Sequence, residues 1–211
     1  MSGCFITIEG IEGVGKTTNA SFIKKFLENS GKKVLSTREP GGTDLGERIR
    51  ELILEDKDFK LSINTECLLM FASRSQHIEQ IIKPALNEGC YVVCDRFTDA
   101  TYAYQGGGRG LSKEIIDYLK LFIQKDIEPD MTIYLDAPVE LGFQRIEDRS
   151  KDNIEKESLD FFKKVREAYL DQANLYQDRI KIIDATNSLE EVQKEIAHSL
   201  KVLLDRNSDE T

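Results

Sequence analysis

Five short apolar runs punctuate the chain, at Cys4–Glu9, Lys33–Thr37, Tyr91–Asp95, Met131–Asp136 and Ile180–Asp184. Each is rich in β-branched or aromatic residues, the pattern of strands buried on both faces. Between them the apolar positions change to helical spacing. Phe22, Ile23, Phe26 and Leu27 mark a helix over Thr17–Asn29, and Leu45, Ile49, Leu52 and Ile53 mark one over Thr43–Leu54. A long helical pattern runs from Thr65 to Asn87, with a kink or break expected at Pro84 near its end. Further helices are predicted at Ser112–Gln124, Val139–Arg149, Ser158–Tyr176 and Leu189–Leu204, and the polar end from Arg206 to Thr211 should fray. Strands alternating with helices predict an α/β fold: a five-stranded parallel sheet with helices on both faces, in one domain over residues 1–211. Ligands of such sheets bind beyond the carboxyl ends of the strands, and the chemistry-bearing segments fall there.

The first strand runs into Gly10-Ile11-Glu12-Gly13-Val14-Gly15-Lys16-Thr17, followed by Thr18, a GxxxxGKT pattern opening a helix. The glycines let successive backbone N–H groups turn toward a polyphosphate, and the helix points its positive end at the same anion. Lys16 suits the β- and γ-phosphates of ATP, and the Thr17 hydroxyl suits Mg²⁺. This identifies the three-layer P-loop NTPase fold.

At the end of the third strand stands Asp95, an acceptor for Mg²⁺ or its waters, followed by Arg96, whose planar fork suits a phosphate. Thr101 and Gln105 share a helix face, and Gly106, Gly107 and Gly108 should break that helix. Arg38 and Glu39 precede a Pro40-Gly41-Gly42 turn, and the next helix carries Arg48 and Arg50. Met70, Phe71 and Arg74 cluster on the long helix. They read either as a flat-base site or as core packing beside a solvated arginine. The charged segment from Arg145 through Arg149 to Glu155 reads as a lid over ATP, at about residues 145–156.

The net charge of −9 argues against a nucleic acid polymer as partner. No apolar run approaches the ~20 residues that span a bilayer, and no signal peptide precedes Gly10. Cys4, Cys67, Cys90 and Cys94 lack zinc spacing and read as buried, reduced thiols of a cytoplasmic protein.

Together, Glu9 through Thr17, Thr37-Arg38-Glu39-Pro40-Gly41-Gly42, Asp95-Arg96-Phe97, Ala103 through Gly110 and Pro129 through Asp136 resemble the bacterial thymidylate kinases, a resemblance running from Phe5 to about Val192. It implies a Mg²⁺-dependent homodimer that converts ATP and dTMP to ADP and dTDP. It implies ATP contacts along Gly10–Thr18, with Lys16, Asp95, Arg96, Arg145 and Arg149 as the catalytic set and Thr17 and Asp95 toward the metal. The dTMP pocket it implies is Glu12, Glu39, Pro40, Arg50, Met70, Phe71, Arg74, Arg96, Thr101, Tyr104 and Gln105. In it Arg96 and Arg50 hold the phosphate, Glu12 lies near the sugar, Arg74 bonds the thymine carbonyl, and Met70 or Phe71 covers the ring. Gly13 stands where another subtype has arginine, so charge would come from the lid. Asn153 departs from the arginine that relatives often carry at the lid's end. Other readings are a different nucleoside monophosphate or deoxynucleoside kinase on this fold, a GTPase-type switch, for which an Asn-Lys-x-Asp segment is missing, and a non-catalytic nucleotide binder.

Overall fold

The structure, a computed structural model, describes residues 3–55, 59–146 and 152–209. Its centre is a parallel sheet of β1 (Cys4–Glu9), β2 (Val34–Arg38), β3 (Tyr91–Asp95), β4 (Met131–Asp136) and β5 (Ile180–Asp184), in the order β2-β3-β1-β4-β5. Every pairing is parallel, with Ile8 opposite both Asp95 and Ile133. β1 is buried along its whole length because it has a strand on each side and a helical layer on each face. Cys4, Ile6 and Ile8 fall in the apolar cluster of Ile23 and Leu27 from α1 (Lys16–Asn29) and Ile196 and Leu200 from α9 (Leu189–Asp209). Phe5 points the other way, into Val92, Cys94, Ile78 and Ile82. This alternation is the period of two that a pleated strand imposes.

Burial on both faces holds for β1, β3 and β4. It fails for β2 and β5, which are edge strands; Ile182 of β5 is 46% exposed. β2 also begins one residue later than the apolar run suggests.

The remaining helices are α2 (Asp44–Leu54), α3 (Ile63–His77), α4 (Lys83–Asn87), α5 (Thr98–Thr101), α6 (Lys113–Gln124), α7 (Val139–Gln144) and α8 (Leu159–Leu175). Thr43, Ser62 and Ser158 cap α2, α3 and α8 with side-chain oxygens that accept backbone N–H groups. The long pattern is helical without a gap from Ile63 to Asn87, and its irregularity lies upstream of Pro84. Five π-helical residues, Ile78–Ile82, separate α3 from α4. Pro84 lacks an N–H and crowds the preceding turn, so the helix widens upstream of it. The predicted helix from Val139 stops at Gln144, and α9 continues through Asp209 where fraying was expected.

The glycines after Gln105 also act differently from expectation. The helix does end at the third of them, but the run lies inside it: Tyr102–Gly108 is a π-helical continuation of α5. Their lack of side chains lets α8 approach: a Cβ on Gly107 would sit 2.6 Å from the Ala168 Cβ, and one on Gly108 would overlap the Phe161 ring. All four cysteines are buried, and none is in a disulfide. Among the described residues no helix is long and apolar enough to cross a membrane.

Candidate active site

A cavity of about 510 Å³ opens beyond the carboxyl ends of β1, β2 and β3. The phosphate loop forms one wall. Its geometry follows from two main chains in contact: Gly13, at φ 75°, lies so close to Gly142 of α7 that a Cβ on Gly13 would overlap the Gly142 carbonyl oxygen. Position 13 therefore accepts no side chain, which gives the missing arginine of the sequence a steric cause. Gly10, Ile11 and Val14 support the loop from beneath; Ile11 and Val14 are buried in the core. Glu12, Gly13, Gly15, Lys16, Thr17 and Thr18 line the cavity. Lys16 Nζ donates to the Ile11 carbonyl at 2.7 Å. Burial, with the Arg96 charge adding to it, pulls the Lys16 ammonium down to about 8.

Opposite stands Arg96, with its backbone in the left-handed region at φ 71°. A non-glycine residue there is strained. The end of β1 holds it: Arg96 N donates to the Ile8 carbonyl at 3.0 Å, and the next amide, Phe97 N, donates to Glu9 Oε1 at 2.7 Å. The guanidinium donates to Glu12 Oε1 at 2.7 Å and to the Tyr169 hydroxyl at 3.3 Å, and lies over the Tyr104 ring. Tyr104 donates its own hydroxyl to Glu12. Burial works against the Arg96 charge, but Tyr104 and Glu12 outweigh it and hold its pKa well above the usual arginine range.

A third wall comes from the Glu39-Pro40 turn and α2. Arg50 Nη1 donates to the Pro40 carbonyl at 3.0 Å. Burial first, and then the charges of Arg38 and Arg96, push Arg50 below the usual arginine range, with Glu47 opposing. Arg38, Arg50, Arg96 and Lys16 all line this one cavity. Like charges crowded together in this way define a place for anions.

Arg74 closes the inner end. It is not solvated, as one of the two sequence readings had it, but 2% exposed. It donates from Nε to Glu39 Oε2 at 2.7 Å, from Nη1 to Thr101 Oγ1 at 3.1 Å and from Nη2 to the Phe97 carbonyl at 3.1 Å. The Phe71 and Phe97 rings lie 4.9 and 5.1 Å from it. This decides between Met70 and Phe71 as cavity residues. Met70 lines the cavity, whereas Phe71 is turned into the core with Cys67, Tyr102 and Ile116, where it packs on Arg74. Gln105 lines the cavity too, but its amide N–H is committed to Glu66 at 2.8 Å, leaving its carbonyl oxygen for a ligand.

At the mouth, both Nη atoms of Arg145 donate to the Ala185 carbonyl at 3.2 Å, just past β5. Arg149 lies outside the described residues. Asn153, the departure noted in the sequence, docks the far side of this segment onto the end of α2: its N–H donates to the Leu54 carbonyl at 3.0 Å, and its amide donates to the Glu55 carbonyl.

A divalent cation would find Asp95 and Thr17 on the cavity wall. The fit is supported by Asp95 Oδ1, a buried oxygen without a hydrogen-bond partner among the described residues.

Sequence reasoning missed Glu9, Tyr169 and His77. Glu9 is fully buried and receives the Tyr169 hydroxyl at 2.7 Å. Burial drives its carboxyl up to about 8, with Asp99 adding to the push and Arg96 opposing it. A carboxylate ending a mostly apolar strand was a signal for Glu9. Tyr169, on an ordinary amphipathic helix, gave none.

The sequence profile of the Thymidylate kinase family matches residues 8–196. A thymidylate kinase of Pseudomonas putida (strain F1) is 51% identical over 207 residues, 98% of this chain and 99% of the relative. One from Nitrosospira multiformis is 47% identical over 204 residues, 96% of this chain and 99% of the relative. The crystal structure of thymidylate kinase from Ehrlichia chaffeensis superposes with a TM-score of 0.78 at 33% identity, covering 95% of this chain and 99% of that one. The fold predicted from the alternating pattern is the fold these proteins share. The chain belongs to the thymidylate kinase family.

Proposed function

We propose that this protein transfers the γ-phosphoryl group of ATP to dTMP, giving ADP and dTDP in a step toward dTTP. The observation that carries the reading is the cation cluster. Lys16 on the phosphate loop and Arg96 and Arg50 across the cavity line one pocket, and, after burial, the Arg96 charge helps lower the pKa of both others, so a further anion among them is favoured. Two nucleotides meeting phosphate to phosphate supply that anion. Lys16 and the loop amides take the ATP phosphates, and Arg96 and Arg50 take the dTMP phosphate. Arg145 and Arg149 would supply the lid's charge toward ATP. Arg74 retains one uncommitted N–H on each Nη, enough to donate to a thymine carbonyl. Met70 covers the ring, and Glu12 faces the sugar.

The transfer is in-line and needs no covalent enzyme intermediate, since neutralisation and alignment lower the barrier. Mg²⁺ held by Thr17 and Asp95 would share the charge of the ATP phosphates. The residues of the chain fix each substrate so that the dTMP oxygen faces the γ-phosphorus. The hydrogen bonds that Glu12 accepts, one from the Tyr104 hydroxyl shared between its two oxygens and one from Arg96, keep the acceptor-side fork aimed before substrate arrives.

The reading extends to a cytoplasmic homodimer. Leu68 of α3 and Tyr118, Leu121 and Phe122 of α6 are 56 to 72% exposed on helices that pack side by side, a face suited to a second copy. The test of the activity is coupled ADP release with a panel of nucleoside monophosphates. dTMP should give the highest kcat/KM, and a higher value for any other base would overturn the substrate assignment.

A further inference from the structure

We propose that His77 is a positioning residue for base selection, acting through Glu39 on Arg74. The inference rests on the base-reading role of Arg74 and extends it one shell outward.

The four residues form one chain of hydrogen bonds, buried from His77 through Glu39 to Arg74 and half-buried at Thr37. Thr37 Oγ1 lies 2.6 Å from His77 Nε2, His77 Nδ1 lies 2.9 Å from Glu39 Oε1, and Glu39 Oε2 lies 2.7 Å from Arg74 Nε. The His77 side chain is wholly buried, and those of Glu39 and Arg74 are 3% exposed. The Glu39 carboxylate requires a proton on Nδ1, so with a single ring proton Nε2 accepts the Thr37 hydroxyl. Both Glu39 oxygens are thus committed, one to each neighbour. Arg74 has its plane set by Phe71 and Phe97, but its rotation within that plane is set by Glu39, Thr101 and the Phe97 carbonyl. If Glu39 loses His77, its carboxylate can turn, and the Arg74 fork turns with it.

The backbone makes room for this chain. Gly42 follows the Glu39-Pro40 turn, and a Cβ there would stand 2.6 Å from His77 Nε2 and 2.7 Å from Thr37 Oγ1. The turn is therefore laid directly over the Thr37–His77 contact. His77 is not itself among the residues lining the cavity and meets its wall through Glu39, so its effect on a substrate must pass through Glu39.

The discriminating ligands are dTMP and dCMP. Thymine offers a carbonyl oxygen where cytosine offers an amino group, and a guanidinium donor favours the first and repels the second. The experiment compares kcat and KM for both monophosphates in wild type, Arg74→Ala, His77→Leu, His77→Asn and His77→Gln. An asparagine amide can take the place of Nδ1 and still donate to Glu39, whereas a glutamine amide reaches the place of Nε2. His77→Leu should lower the dTMP-to-dCMP ratio of kcat/KM at least tenfold, mainly through a higher KM for dTMP. His77→Asn should restore most of that ratio and His77→Gln little of it, whatever the order of their melting temperatures. Equal selectivity in the Asn and Gln variants, or a ratio that simply follows stability, overturns the role of His77. This holds even if the leucine variant fails to fold. Should Arg74→Ala leave selectivity intact, the base-reading role of Arg74 falls instead. If Arg74→Ala relaxes selectivity and no His77 variant does, base reading stands and the relay does not.

Discussion

Arg96 Nη2 lies 2.7 Å from Glu12 Oε1, which ties the residue after β3 to the middle of the phosphate loop. The pair joins the two halves of the cavity through a single charge-assisted bond, and Arg96 makes it from a left-handed backbone at φ 71°. The residue proposed to hold the dTMP phosphate is thus also the strained one, and the two properties can be separated.

Replacing Arg96 by glycine relieves the backbone, whereas replacing it by alanine does not. Both remove the fork. Arg96→Gly should be more stable than Arg96→Ala by about 1 kcal/mol, while each loses at least ~10²-fold in kcat/KM for dTMP. Urea unfolding and steady-state kinetics on the two variants check this. Arg96→Lys should also fail, because an ammonium cannot reach Glu12 and a phosphate in one plane.

Lys16→Ala should lower turnover by at least ~10²-fold with the fold intact, as expected when a charge clamp worth several kcal/mol is lost. Circular dichroism and the coupled assay are the readouts. Near-normal turnover would remove the phosphate loop from the mechanism.

Glu9 gives stability a pH dependence. Unfolded, its carboxyl titrates near 4.5; folded, at about 8. Between these values the unfolded chain has released the proton and the folded chain keeps it. Its contribution is therefore complete below pH 4.5 and is lost as pH rises toward 8, at no more than about 1.4 kcal/mol per pH unit. Glu9→Gln imitates the protonated form and should flatten this slope while retaining the Phe97 contact. Unfolding free energies measured across that window in both proteins should diverge steadily; parallel curves would mean Glu9 is ionised in the fold.

Gly107→Ala tests the seam between the π-helical segment and α8. The added methyl meets Ala168 and the Lys164 carbonyl, 2.6 and 2.9 Å from the new carbon. Overpacking against a backbone oxygen should cost about 1–3 kcal/mol, read as a lower urea midpoint. Because Tyr104 and Gln105 ride on the same segment, KM for dTMP should rise as well.

Much of this architecture was legible in the chain because its signals are local. The strands and the phosphate loop announce themselves through runs of apolar residues and through glycine spacing, and Asp95 and Arg96 stand where a strand must end. What escaped depends on contacts between distant segments. Nothing near Phe71 says that its ring will lie on Arg74 and not in the cavity, since both orientations satisfy the same helical period. The glycines after Gln105 looked like a helix stop because their true reason, the approach of Phe161 and Ala168, lies some sixty residues further along. His77 and Tyr169 carry no motif at all; their partners are contributed by β2 and β1. The expected burial of β2 and β5 failed for a related reason, because strand order is not written in strand composition.

The meeting of Gly13 and Gly142 has an evolutionary reading. A mutation placing arginine at position 13 would drive its first carbon into a neighbouring peptide oxygen, and a side chain on residue 142 would strike the Glu12 carbonyl in return. At each position the main chain of the facing segment excludes a side chain. A descendant of this chain could not relocate catalytic charge into the loop by one substitution; α7 would first have to retreat, in an ancestor that gained nothing from the move. Which arginines serve the reaction is in this sense a historical commitment, enforced by two residues that have no side chains.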